Sequence, residues 1–254
     1  MRLSLLVAIG LGIIGVLILL GYQHDWTGFG PRTVADGTVL PPRLLWDWLA
    51  LLIVPAAIAG GIFMLNDSRK RADQRLELDR QRQDVLNQYV DQITQLLLKK
   101  SLKDSPGPEV QSIARTRTLS ALRLLDGSRK AQLLQFIYET GLIGDPPVID
   151  LLGADLTGAR LDAATLRNSH LRGVYFVGAS FQNANFAGAD LRGSDLTEVD
   201  ARQCDFTNAD LAQACMRAAC MDAAETDGAN FDQVDFREAK PKALIERLLA
   251  QGKE

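Results

Sequence analysis

The pattern of apolar and polar residues changes three times along the chain. Two uncharged apolar stretches, residues 3–24 and 48–66, come first, and a charged segment with helical spacing follows. Beyond it, one apolar residue returns at every fifth position, and the chain ends in a short amphipathic segment. These changes predict four parts, with boundaries at residues 1–66, 67–146, 147–239 and 240–254.

The first part, residues 1–66, is predicted to be a two-helix transmembrane hairpin. Each apolar stretch has the roughly 20 residues that cross a bilayer as a helix, and Trp46 and Trp48 stand where aromatic rings favour the membrane boundary. Six basic residues fall within residues 69–82, whereas the connection Gly21–Arg43 holds two. The positive-inside rule then predicts a multi-pass inner-membrane protein in contact with the lipid bilayer, its N-terminus and its repeat in the cytoplasm.

Two other interpretations of this part carry less weight. A cleaved signal peptide has an apolar run of roughly 7–15 residues and a small-residue cleavage site, but this run is longer and no such site comes after it. Residues 27–30, Thr-Gly-Phe-Gly, faintly resemble a potassium-channel filter, which needs a pore helix before it. Only six residues separate Gly21 from Gly28, so a turn is the simpler interpretation.

Residues 67–146 are predicted to form a cytoplasmic helical neck and a small helical bundle. Residues 68–100 contain neither Pro nor Gly, and apolar residues recur there at helical spacing at Leu86, Val90, Ile93 and Leu97. This stripe is either the seam of a homodimer or a face packed against neighbouring helices. Two further helices are expected after Pro108, the second ending near Gly141, and they would cap the N-terminal end of the periodic segment.

From Ile149 to Glu238 the chain keeps a period of five residues without a slip, which gives 18 pentads. The first position is always Ala, Ser, Val, Cys or Ile, and the third is Leu, Phe or Met except at Ala201 and Thr226. Asp or Asn often takes the second position. Such a strict short period indicates a solenoid in which each repeat stacks on its neighbours.

This pattern resembles the pentapeptide-repeat family, whose motif is A(D/N)LxG. The resemblance implies a right-handed quadrilateral β-helix with four pentads per coil, about 4.5 coils and a length of roughly 22 Å. Ala201 and Thr226 would leave its interior locally underfilled. The segments LWDWLALLIVP and LLDGSRKAQLLQFIYETGLI further resemble bacterial members with a membrane hairpin. The expected fold is therefore multidomain, an α-helical transmembrane hairpin and neck followed by this solenoid and a C-terminal capping helix.

Charge is uneven along the repeat. Residues 189–238 hold twelve acidic residues and four arginines, a net charge of −8, whereas residues 149–188 are balanced. The candidate partner-binding residues are the second-position acids of five consecutive pentads, namely Asp190, Asp195, Asp200, Asp205 and Asp210. His170 is expected between Asp150 and Asp190, because residues 20 apart share a face, and it is interpreted as a surface contact rather than a ligand.

Candidate chemistry is sparse. Three Cys and two His exclude a disulfide-stapled domain and a His-rich metal centre. Cys215 and Cys220 are expected on adjacent sides of one coil and Cys204 inside it, all as structural thiols. Phosphate-binding loops, nucleophile elbows and paired-His motifs are missing from the sequence. The chain is therefore predicted not to be an enzyme, with no catalytic residue, cofactor or metal.

The predicted function is a membrane-anchored scaffold that presents a rigid surface to an unknown protein partner, without direct contact to nucleic acid. Some soluble members of the family mimic DNA and bind DNA gyrase, so the alternative is an acidic rod that modulates a DNA-binding protein such as a topoisomerase. A channel or transport accessory comes third. The amphipathic helix expected over 243–251 caps the last coil, with a homodimer contact as its alternative.

Overall fold

The computed structural model describes residues 32–33, 36–37, 39–40, 45–100 and 107–251. Strands β1 (Arg32–Thr33) and β2 (Val39–Leu40) pair antiparallel. The helices are α1 (Leu45–Lys100), α2 (Pro108–Leu124), α3 (Gly127–Glu139) and α4 (Lys242–Gln251), and the repeat lies between α3 and α4. The chain divides into two compact units, Met1–Arg75 and Leu76–Glu254.

The structure does not support the predicted transmembrane hairpin. The first predicted span, residues 3–24, lies outside the described residues, and the second, residues 48–66, is the start of the 56-residue helix α1. The prediction treats that apolar stretch as a separate span, whereas α1 continues without a break into a charged segment. No helix among the described residues combines the length and apolar character that crossing a membrane requires. The predicted multi-pass inner-membrane localisation is therefore wrong, and the lipid bilayer has no support as a partner.

The stripe predicted on the neck packs inside the second unit. Leu86 and Ile93 are buried, as is Tyr89, and Val90 and Leu97 are half-buried. The Tyr89 hydroxyl lies 2.8 Å from the Thr118 hydroxyl of α2. Burial raises the pKa of the tyrosine well above its usual range, because a buried phenolate is poorly solvated. This packing uses the stripe within one chain, so a homodimer through the neck has no support.

Helix α3 docks onto the first coil through its first turn. Gly127 opens α3, and its carbonyl accepts a bond of 3.0 Å from the Arg160 amide. A Cβ at Gly127 would lie 2.1 Å from the Gly158 carbonyl oxygen, so only glycine allows this approach. Lys130 is buried and donates to the Asp155 carboxylate and the Thr157 carbonyl, each at 3.1 Å. Helix α3 therefore lies over the open end of the solenoid, where a repeat array requires a cap.

The repeat is a β-helix-type solenoid with four pentads per coil. Fourteen parallel bridges join residues 20 apart, from Asp155 with Tyr175 to Cys220 with Lys240. Each side contributes one bridge residue rather than a long strand. First-position and third-position side chains fill the interior, where the rings of neighbouring phenylalanines pack at centroid distances of 4.6–5.9 Å; these are Phe176, Phe181, Phe186 and Phe206.

The two irregular third positions keep the phase of the coil. Ala201 is fully buried and its amide donates to the Cys220 carbonyl at 2.7 Å, as in a regular pentad. Thr226 is also buried, and its hydroxyl accepts a bond of 3.4 Å from Arg247 of α4. Ile245 and Leu248 of α4 are buried as well. These contacts support the predicted role of α4 in covering the last coil.

Every pentad turns a corner at its fifth residue. All 18 fifth positions, from Gly153 to Glu238, have positive φ, seven at glycine and eleven at other residues. A positive φ at the third residue of a four-residue turn is what a type II turn requires, and bonds such as Ala154 N–H to Leu151 C=O (2.8 Å) close these turns. For most residues other than glycine, this conformation costs roughly 1–2 kcal/mol of free energy.

We expect Ala218→Gly to raise the free energy of unfolding by up to about 1 kcal/mol, because it removes strain at a φ of 53°. The neighbouring Ala219→Gly is the matched control. Ala219 is buried at a first position without positive φ. Replacing it with glycine makes the unfolded backbone more flexible, so the free energy of unfolding should fall by about 1 kcal/mol. Urea unfolding of both variants measures the difference, and a loss at both positions would contradict the strain argument.

Candidate interaction surface

The second residue of each pentad points outward, and its 20-residue spacing defines the four sides of the solenoid. Side 1 carries His170, Asp190, Asp210 and Asn230. Side 2 carries Asp155, Tyr175, Asp195, Cys215 and Asp235. Side 3 carries Arg160, Ser180, Asp200, Cys220 and Lys240. Side 4 carries Thr165, Asn185, Asp205 and Glu225.

The acids and amides at second positions have a structural task. Within each coil the fourth-position N–H donates to no backbone carbonyl. At all ten pentads with Asp or Asn in second place, that side chain accepts a bond of 2.9–3.4 Å from this N–H. The side chain thus supplies the partner that the coil does not, in the manner of an Asx turn. This explains the Asp or Asn of the motif without any ligand.

The five predicted partner-binding acids do not form one surface. Asp190 and Asp210 bridge to each other on side 1, whereas Asp195, Asp200 and Asp205 lie on sides 2, 3 and 4. Residues five apart move around the solenoid, and only residues 20 apart share a side. The structure therefore brings together two of the five, and each of the five also bonds its own fourth-position amide.

Three second-position acids also form an ion pair with an arginine two residues later. Each guanidinium donates through Nε and Nη2 to its carboxylate at 2.6–3.1 Å, and the pairs are Asp190–Arg192, Asp200–Arg202 and Asp235–Arg237. The Arg237 fork lowers the pKa of Asp235 to about 2. Partial burial raises the pKa of Asp190, but the bonds from Arg192 outweigh it and hold that pKa below its usual range. These acids stay ionised, and their charge is locally balanced.

His170 has different neighbours from those predicted. Its Nδ1 lies 3.8 Å from Asp190 as expected, but its Nε2 lies 3.6 Å from Asp145, which belongs to the loop after α3. Asp150 instead pairs with Arg115 of α2 at 3.6 Å. The expectation failed because the capping segment takes the place of a coil beneath His170. The contacts of His170 are those of a surface residue.

An open groove of about 480 Å³ runs along the edge between sides 4 and 1. At this edge the fifth positions alternate between asparagine and glycine. A Cβ at Gly188 would lie 2.3 Å from the Asn168 amide oxygen, and one at Gly228 would lie 2.3 Å from that of Asn208. Each asparagine therefore lies against the glycine of the next coil, and the missing side chains leave the groove.

A second group of acids was missed by the sequence interpretation. Five exposed acids of the last coil accept no hydrogen bond from a fourth-position amide. We call them the last-coil acids, and they are Asp222, Glu225, Asp227, Asp232 and Glu238. They occupy fourth and fifth positions, except Glu225 in second place. Sorting the acids by their position in the pentad would have separated all of them except Glu225 from the structural ones.

The cysteines are placed as predicted. Cys215 and Cys220 lie on adjacent sides, and all three thiols are free. Cys204 is buried inside the coil, and burial raises the pKa of its thiol far above the usual range. The Cys220 thiol donates to Asp222 at 3.2 Å. In the described ranges, no group of three or more His, Cys, Asp or Glu is arranged to hold a metal ion.

Comparison with known proteins identifies the repeat. The family model for pentapeptide repeats matches residues 154–193 and 184–222 with eight copies. The five-residue sides, the buried third positions and this match agree. The chain belongs to the pentapeptide repeat family.

Solved structures of three proteins illustrate the likeness. A pentapeptide repeat protein from Nostoc PCC 7120 is 27% identical, over 38% of this chain and 83% of that one, with a TM-score of 0.26. One from the thylakoid lumen of Arabidopsis thaliana is 30% identical, over 40% and 74%, with a TM-score of 0.20. QnrB1, a plasmid-mediated fluoroquinolone resistance protein, is 12% identical over 41% and 86%, with a TM-score of 0.17. A search of curated proteins finds no match.

We expect Asp195→Ala to lower the free energy of unfolding by about 1 kcal/mol, because the Thr197 amide loses its acceptor at 3.0 Å. Asp195→Asn removes the same charge but keeps an acceptor, so it should leave stability within about 0.5 kcal/mol of the parent. Denaturant unfolding of the two variants separates hydrogen bonding from charge. Equal losses in both would mean that the charge itself stabilises the coil.

Proposed function

We propose that this chain is a non-enzymatic scaffold whose repeat holds a rigid, negatively charged surface for a protein partner. The observation that carries the proposal is that eleven of the twelve acids in residues 189–238 divide into two groups, with Glu198 outside both. Second-position Asp residues serve the coil, whereas the last-coil acids are exposed and take no part in that bond. Charge that the fold does not use is the part of the surface left for recognition.

The last-coil acids are the preferred binding residues under this proposal. They surround one end of the solenoid, and a basic surface on the partner would complement them and speed association. The five second-position acids from Asp190 to Asp210 are the competing assignment. Each of these five also binds the fourth-position amide of its own pentad.

An acidic mimic of nucleic acid is the second candidate. The net charge of −8 over residues 189–238 favours it. Against it, three of the twelve acids are paired with arginine forks, so no side carries a continuous line of free carboxylates among the described residues. A role as a channel or transport accessory rested on the transmembrane hairpin and has no other support.

Two matched variants test the proposal, each with three acids neutralised in the full-length chain. The last-coil variant carries Asp222→Asn, Glu225→Gln and Glu238→Gln. The second-position variant carries Asp195→Asn, Asp205→Asn and Asp210→Asn, which keep their acceptors. Crosslinking in cells followed by affinity capture and mass spectrometry should recover a partner with the parent and the second-position variant, but not with the last-coil variant.

Each other outcome points elsewhere. Loss of the partner only with the second-position variant would overturn the assignment to the last coil and restore the competing one. Equal capture by all three chains would mean that the acids are not the binding surface. A topoisomerase or another DNA-binding protein among the partners lost would favour the nucleic-acid mimic.

A further inference from the structure

Three lines of residues run along side 1 and its two edges, each through four coils, and all their members except the buried Ala187 are exposed or half-buried. The middle line is His170, Asp190, Asp210 and Asn230. One edge line is Arg167, Ala187, Thr207 and Asp227, and the other is Arg172, Arg192, Ala212 and Asp232. Backbone bonds between coils fix these lines, for example Gly188 N–H to Thr207 C=O (2.8 Å) and Gly193 N–H to Ala212 C=O (3.0 Å).

Both edge lines begin with arginine and end with aspartate. The four terminal residues, Arg167, Asp227, Arg172 and Asp232, are exposed and make no ion pair within the described part of the chain. Arg167 and Asp227 stand three coils apart, about 14 Å at the spacing of paired strands. The two ends of each line therefore have opposite charge but lie too far apart to meet in one molecule.

We propose that side 1 binds a second copy of this chain in antiparallel orientation. A twofold axis lying across side 1, between the second and third of these coils, would place each line against itself in reverse. Arg167 would then face Asp227 of the second copy, and Arg172 would face its Asp232. The symmetry repeats both contacts, so four ion pairs form, and the surface is self-complementary as a twofold interface requires.

The uncharged positions fit the same arrangement. Along the groove the fifth positions read Asn168, Gly188, Asn208, Gly228, and reversal sets each asparagine opposite a glycine of the second copy. Within each chain Asn168 and Asn208 already lie over Gly188 and Gly228, so the groove of about 480 Å³ brings uncharged surface, and no like charges, into the contact. In the edge lines, Ala187 would face Thr207 and Arg192 would face Ala212.

In the middle line, Asp190 would face Asp210 of the second copy, and the two carboxylates would repel each other. Arg192 reduces this repulsion, since it lies 2.6 Å from Asp190 and 3.5 Å from Asp210 within its own chain. The contact spans only four coils, so it falls below the roughly 800 Å² per partner of a standard interface. The dimer should therefore be weak and lose affinity as salt rises, because its pairs are charged and exposed.

A zero-length crosslink tests the orientation directly. Arg167→Lys introduces an amine that carbodiimide joins to a carboxylate only at contact distance. A crosslink between this amine and Asp227 cannot form inside one chain across three coils, so finding it by mass spectrometry in the full-length protein identifies two copies. We expect this crosslink at low salt, its decline above about 0.3 M salt, and its loss in a chain that also carries Asp227→Asn.

Charge reversal supplies a second, independent readout. Arg167→Glu with Arg172→Glu gives one variant, and Asp227→Lys with Asp232→Lys gives another; each should be monomeric by sedimentation, because like charges then face each other. Mixing the two should restore association, since the mixed pair regains all four contacts. Arg160→Glu on side 3 is the control and should sediment like the parent.

Two results would overturn the proposal. One is a parent chain that stays monomeric at about 0.1 mM and low salt, together with an Arg167→Lys chain that yields no crosslink to Asp227. The other is an oligomer that both reversed variants retain unchanged. These variants share no residue with those that test the partner surface, so failure of self-association and failure of the scaffold proposal are told apart.

Discussion

The structure depends on one backbone constraint, which is that the chain must turn a corner every five residues while pairing with the coil 20 residues away. The left-handed fifth residue makes the turn, and the amides of the second, third and fifth residues pair between coils. This leaves the fourth-position amide without a backbone acceptor. A second-position Asp or Asn binds it, while the first and third side chains fill the interior. Each position of the pentad thus has a physical reason.

Much of this could be predicted from the residues, and the errors have identifiable causes. The period of five and the buried third positions follow directly from the sequence. The positive φ of the fifth position could not be predicted from the sequence, because residues other than glycine, such as Glu198 and Gln203, also adopt it. The predicted inner-membrane localisation was wrong, because no helix among the described residues is both long and apolar enough to cross a membrane. His170 could not be placed because its neighbour Asp145 lies outside the repeat.

Function is inferred by separating the side chains that the coil needs from those that it does not. A high acid content is expected of any repeat whose second position holds Asp, so net charge alone says little about a partner. Charged side chains that bind no fourth-position amide carry the distinguishing information: the last-coil acids on one end, of which Asp227 and Asp232 also terminate the lines of side 1, and the arginines at the other ends of those lines. Both surfaces are rigid because the ladder beneath them is regular, which lowers the entropic cost of binding.

Amide hydrogen exchange measured residue by residue by NMR tests the central claim most directly. The fourth-position amides of Thr157, Thr197 and Thr207 have an Asp acceptor, whereas those of Arg167, Arg172 and Val177 follow second positions without Asp or Asn. We expect exchange at least about tenfold slower for the first group. Equal rates in the two groups would contradict it, since the second-position side chain would then not protect the amide that the coil leaves unpaired.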